Sequence, residues 1–340
     1  MRKRILAVLL AAVTLVGCKS TTPTAVEPQT EPEPVQEEAT DPAEEPEKTV
    51  NEDWDAYWAV VGPRSREDIE LDEESAKLYD GFLGNEVSVV YDATADEGSY
   101  IRLSELLQKG QSYTLDEINQ AMAGTPEYGE ELHYEFIDAG FVDCGLDDRY
   151  EMVVQVGAAE FTAIMLIRNV DGNLKLCFSS DGWSRSYTEI RYSGLVYSGG
   201  SNGATSHSTD GGYIDAEGTY HFLDSWAEEL IGANGGGVVN IDELGFSEDW
   251  LVFEERLSFD TDYDYSNDVF SFYIQDENSN EVKDDPSDPE NPYEKLRALY
   301  RSFDYQAYTR AEVDQMEAEH RASIGLSDEV YHYGDELKPE

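Results

Sequence analysis

The sequence predicts an α+β fold, with an antiparallel β-sheet core of successive hairpins, a helical N-terminal part and C-terminal helices. Three observations predict it. Apolar residues recur at helical spacing before about Gly124 and after Asn291, whereas residues 131–275 consist of short runs rich in β-branched and aromatic side chains. Turn signals such as Asp171-Gly172 and Ser193-Gly194 punctuate those runs. No fixed repeat period marks a propeller or solenoid.

In chain order, Asp72–Leu83 places Leu78, Phe82 and Leu83 at helical spacing, within a first part that reads as mainly helical. Thr114-Leu115-Asp116-Glu117 is a capping box that opens a second helix, and Gly124-Thr125-Pro126 stops it. Glu151–Val156, Phe161–Ile167 and Leu174–Phe178 are apolar runs of strand length, and Asp215-Ala216-Glu217-Gly218 is a further turn. Gly199–Gly212 is rich in Gly, Ser and Thr and reads as a loop, and Ser225–Ile231 as a short helix within the β region. Asp284–Asn291 breaks the pattern. Asn291-Pro292 then opens a helix with Tyr293, Leu296, Leu299 and Tyr300 on one face. Thr309-Arg310-Ala311-Glu312 is a second capping box, with Gly325 as its stop. These helices, about 291–325, are short and amphipathic and are expected to dock on the sheet. Residues 52–340 thus form the globular α+β domain, at about 290 residues ample for a large core.

Ahead of that domain, Arg2-Lys3-Arg4 precedes the apolar run Ile5–Val16, too short for an ordinary membrane span and built like a secretory signal. Leu15-Val16-Gly17-Cys18 resembles a bacterial lipobox. That resemblance implies a signal peptide over 1–17, removal of those residues, and acylation of Cys18 with palmitate-type chains. Two or more chains hold a protein stably at a bilayer. Residues 18–51 join the lipidated Cys to an acidic, Pro- and Glu-rich tether that lacks the apolar surface needed to offset its ordering entropy. The expectation is a cell-membrane lipoprotein on the extracytoplasmic face, with the lipid bilayer as its partner through Cys18.

The chain carries 23 Lys+Arg against 73 Asp+Glu, a formal charge of −50. Such a field repels nucleic acid and anionic headgroups, so no nucleic-acid partner is expected. Cys144 and Cys177 are the remaining cysteines. An exported compartment permits a disulfide, yet spacing leaves both a disulfide and two separate buried thiols open.

The segment Asp143-Cys144-Gly145-Leu146-Asp147-Asp148-Arg149-Tyr150-Glu151-Met152 concentrates carboxylates around a glycine. Asp143, Asp147 and Glu151 are the candidate metal ligands, because a turn entering a strand can gather such oxygens around one Ca²⁺. The same residues also suit a hydrogen-bonded acidic turn, with Asp side chains accepting from backbone N–H groups. The segment resembles the Asp-Cys-Gly-x-Asp-Gly-x-x-Glu-Leu loops of uncharacterised surface lipoproteins of Gram-positive, clostridia-like bacteria, over about Leu78–Phe222. It departs from them at Asp148, where the pattern has Gly, and at Met152, where it has Leu. The resemblance implies no particular activity. A bound ion here would be structural.

Other signals carry less. Asp260–Asp264 mimics the opening of an EF-hand, but Tyr265 fills the Gly position and Ser271 the final Glu position. Gly199-Gly200-Ser201-Asn202-Gly203 matches G-x-S-x-G without the helix that a nucleophilic Ser needs. No catalytic residue is assigned. The function expected is a ligand-binding or structural surface module, calcium-stabilised if the loop takes an ion, with a glycan, peptide or envelope protein as ligand. The alternative is a secreted hydrolase acting on polysaccharide or cell wall through paired carboxylates.

Overall fold

The computed structural model describes residues 52–97, 100–123, 132–201, 203, 205–232, 236–261, 267–285, 287–288 and 290–339. The expected signal peptide, Cys18 and the expected tether lie outside the described residues, as do the Gly124-Thr125-Pro126 stop and most of Asp260–Asp264. Among the described residues no helix is long and apolar enough to cross a membrane.

The fold is α+β. The N-terminal part runs α1 (Glu52–Val61), α2 (Glu73–Leu83), β1 (Val89–Asp96), α3 (Leu103–Leu106), β2 (Ser112–Tyr113) and α4 (Leu115–Ala123). A meander follows: β3 (Glu135–Val142), β4 (Glu151–Ala158), β5 (Phe161–Val170) and β6 (Asn173–Gly182). A second runs β7 (Ser186–Ile190), β8 (Leu195–Ser201), β9 (Ser206–Ile214), β10 (Tyr220–Ile231), β11 (Leu251–Ser258) and β12 (Val269–Gln275). The chain closes with α5 (Pro292–Arg301), β13 (Gln306–Ala307), α6 (Arg310–Ser323) and α7 (Asp328–Tyr331).

Local signals placed several of these elements. Asp72 caps α2 by accepting from the Ser75 N–H at 2.9 Å, and Thr114 and Glu117 cap α4 reciprocally. Asn291 caps α5 and the Thr309–Glu312 box caps α6. At the β5–β6 hairpin Asp171 and Gly172 adopt φ +51° and +79°, the pair of left-handed residues that a two-residue turn of this twist requires.

The strands form two mixed sheets, ordered β2-β1-β6-β5-β4-β3 and β13-β12-β11-β10-β9-β8-β7. Pairing is antiparallel except for β1 with β6 and β12 with β13. The N-terminal part is helical as expected, with β1 set inside the first sheet. Two expectations are corrected here. Ser225–Ile231 is not a helix but the second half of β10, paired on both sides, so sheet pairing outweighs its Ala-Glu-Glu-Leu helix propensity. Much of Gly199–Gly212 is strand, belonging to β8 and β9.

Alternation builds the layers. Met152, Val154, Met165 and Ile167 face α2 and α4, while Val153, Ile164, Leu166 and Phe178 face Ile190, Val196 and Ile214 of the second sheet. Farther along that sheet, Val252, Phe270, Phe272 and Ile274 pack on Leu296 and Tyr300 of α5. On its opposite face lie Leu195, Tyr213 and Leu223 against α7, and Leu257 and Val269 against Val313 of α6.

Candidate functional site

One face of the second sheet changes its cover partway across. Register alignment puts Val196, Ser198, Gly200, Gly212, Asp210 and Ser208 on the face toward the first sheet. A bulge between Phe222 and Asp224 shifts the register of β10, so Ser225 stands opposite Asp210 and Ala227 opposite Ser208. The same face continues through Glu229 opposite Glu254 and Ala227 opposite Arg256, and reaches the α5 side at Ile231 and Val252. Between the part covered by the first sheet and the part covered by α5 lies a polar trough. Its cavity of about 300 Å³ is lined by serines 206, 208, 225 and 258, by Asp210, Glu229, Glu254 and Asp268, and by Arg256. The bulge thus re-aims β10 into the trough, as bulges do beside binding sites.

The trough is electrostatically lopsided. Arg256 pairs with the buried Asp268 at 3.5 Å. Glu254, also buried, accepts from the Tyr300 hydroxyl and from the Val238 N–H, and burial still lifts it above the usual carboxylate range. Burial lifts Asp210 as well, against a hydrogen bond from Ser225. Glu97 leaves the end of β1 with its N–H donating to the Ser179 carbonyl at 3.0 Å. Its side chain keeps contact with solvent, yet the loss of surrounding water and then the charges of Asp210 and Asp96 raise it. Glu97 itself is not among the residues that line the trough. A chain of hydroxyls, Ser180–Thr188–Ser198 at 2.7 and 2.9 Å, links the first sheet to Ser198 of β8, which stands opposite Asp210.

The predicted metal ligands are arranged differently. Asp143 Oδ1 accepts from the N–H groups of Asp147 at 2.7 Å and Asp148 at 3.1 Å. Asp147 turns outward to Arg149, whose Nε lies at 2.9 Å. Glu151 points into the inter-sheet core, accepting from the Cys144 N–H at 3.0 Å and pairing with Arg168 at 3.3 Å. Burial pushes Glu151 up to about 8. Gly145, Leu146 and Asp148 carry φ of +81°, +58° and +63°, so Asp148 takes the left-handed conformation that Asp tolerates better than most residues. The three carboxylates face three different sets of partners, and among the described residues no group of three His, Cys, Asp or Glu is disposed to hold a metal ion. The geometry is that of the hydrogen-bonded acidic turn. Cys144 and Cys177 stand as separate buried thiols, the latter pushed up to about 12 by burial.

Ser201 donates to the Gly203 carbonyl at 2.6 Å, and His207 lies opposite it in the β8–β9 ladder. That is a strand end rather than a nucleophile elbow.

The trough residues were not singled out by sequence, although a signal exists. Ser206, Ser208 and Asp210 alternate on one strand, and Ser225 and Glu229 on the next, giving a polar face of period two where a core face would be apolar. No family model, curated protein or solved structure matches the chain.

Proposed function

We propose that this protein is an extracytoplasmic lipoprotein, held to the cell membrane through acylated Cys18, whose domain binds a hydroxyl-rich ligand of the glycan class in the polar trough. The observation that carries the reading is the trough itself, where carboxylate acceptors and seryl hydroxyls converge on a rigid sheet. Sugar hydroxyls donate to such carboxylates and exchange hydrogen bonds with serines. A protein or peptide partner suits the trough less well, because the buried centre of such an interface is depleted in charge and rich in aromatic groups. Co-sedimentation of the full chain with insoluble cell-wall polysaccharide tests the reading. Wild type is expected in the pellet and Asp210→Asn in the supernatant, and equal retention of the two would sink it. Labelled palmitate incorporated by wild type and not by Cys18→Ser tests the anchor.

The carboxylates that line the trough, Asp210 and Glu254 among them, favour a second reading, hydrolysis of a glycosidic bond with one carboxyl as acid and another ionised. Reducing ends released from the same polysaccharide by wild type, and by neither Glu254→Gln nor Asp210→Asn, would support it. Their absence with wild type would leave binding alone.

A further inference from the structure

A second cavity, of about 270 Å³, lies at the β10–β11 end of the second sheet, beyond the trough. Its chemistry is different. Leu230, Ile231, Ile241, Leu251 and Val252 supply an aliphatic lining, and Phe246 and Trp250 stand stacked with centroids 6.1 Å apart and ring planes 25° from parallel. Trp250 is anchored from outside, its indole Nε1 donating to Glu277 Oε2 at 3.3 Å. Gly232, Ser247, Asp242 and Glu248 complete the lining; the two carboxylates are exposed, neither forms an ion pair with a described residue, and no described Lys or Arg lines the cavity.

We propose that this cavity is a binding site for a small organic cation, an ammonium group carried on an apolar body. Each half of the lining excludes a different competitor. A sugar would surrender hydroxyl hydration to an aliphatic wall that offers nothing in return. A neutral apolar molecule would gain the wall but desolvate two carboxylates without pairing them. A bare metal ion would find carboxylates on one side and hydrocarbon on the other. An organic cation satisfies both halves, its apolar body against Leu230, Ile241 and Val252 and its charge shared between the carboxylates and the indole face. The chain's formal charge of −50 adds a long-range attraction for the same sign. The volume, just below the usual range of ligand pockets, suits a body of about one ring.

The test is calorimetric titration of the full chain with benzyltrimethylammonium chloride, with benzyl alcohol as the neutral probe. One cation per chain is expected, bound about tenfold or more tightly than the alcohol, and weakened by added salt. Trp250→Ala is expected to weaken cation binding about tenfold. The double variant Asp242→Asn/Glu248→Gln, which alters only exposed side chains and should melt with wild type, is expected to do the same while leaving the alcohol unaffected. Equal binding of the two probes, unchanged cation binding in the double variant, or no cation heat at millimolar concentration would each overturn the assignment.

Discussion

The Asp143–Glu151 loop and the Asp210 trough are both rich in carboxylates, and they use them in opposite ways. In the loop the carboxylates are taken up by nearby donors. Asp143 holds two backbone N–H groups, Glu151 holds the Cys144 N–H and Arg168, and Asp147 holds Arg149. In the trough Glu254 accepts from Tyr300 and the Val238 N–H and Asp268 pairs with Arg256, yet the acids outnumber the one Arg and stand around a cavity. The difference teaches that carboxylate density alone does not mark a ligand site. What matters is whether the fold has already satisfied the oxygens.

Removing Glu151 should separate the two regions most sharply. Glu151→Ala leaves the buried Arg168 without its partner and the Cys144 N–H without an acceptor, so urea unfolding is expected to show a loss of about 3–5 kcal/mol. The same residue gives a pH signature. Its folded-state value lies above the ordinary 4.5, at about 8, so folding is favoured while it is protonated. That contribution is whole below pH 4.5 and is lost as pH rises to about 8. Glu151→Gln should flatten the decline of stability across that window, and parallel curves for the two proteins would refute the assignment. Asp143→Ala, which strands two backbone donors, should cost about 1–3 kcal/mol by the same unfolding assay.

The trough should respond in the opposite direction. Asp210→Asn removes a charge that burial disfavours, so it is expected to leave stability unchanged or raise it by up to about 1 kcal/mol near neutral pH while abolishing ligand retention. A destabilisation as large as that of Asp143→Ala would mean that the trough, too, is scaffold. Smallest of all is the effect expected where the half-buried Asp147 meets the exposed Arg149. Asp147→Ala should cost under about 1 kcal/mol, and EDTA followed by millimolar Ca²⁺ should leave the melting temperature in place. A calcium-dependent rise that vanishes in Asp147→Ala would restore the metal site.

What was legible in the sequence was local. Asp72, Thr114, Asn291 and Thr309 announce helix starts because a cap and its N–H acceptances lie within three residues of one another. Asp171-Gly172 announces a hairpin for the same reason. The unread parts depend on distant partners. Val89–Asp96 becomes a central strand only because β6 lies beside it, and Ser225–Ile231 is held extended by β9 and β11. The trough is less legible still. Asp210, Glu254 and Asp268 come from different strands or strand ends, and a single bulge decides which β10 side chains join them.

The parallel pairing of β1 with β6 also sets an order of events. Val90 meets Lys175, and Leu174 and Leu176 complete the core that β1 shares with α2 and α4. A chain that emerges N-terminus first presents β1 long before its partner exists, and closing so distant a contact carries a loop-entropy cost that hairpins avoid. The β3–β6 meander must therefore assemble first and offer its β6 edge as a template. Until then the N-terminal helices have no surface to settle on. Pulse-labelled hydrogen exchange should find the amides of β4 and β5 protected before those of β1.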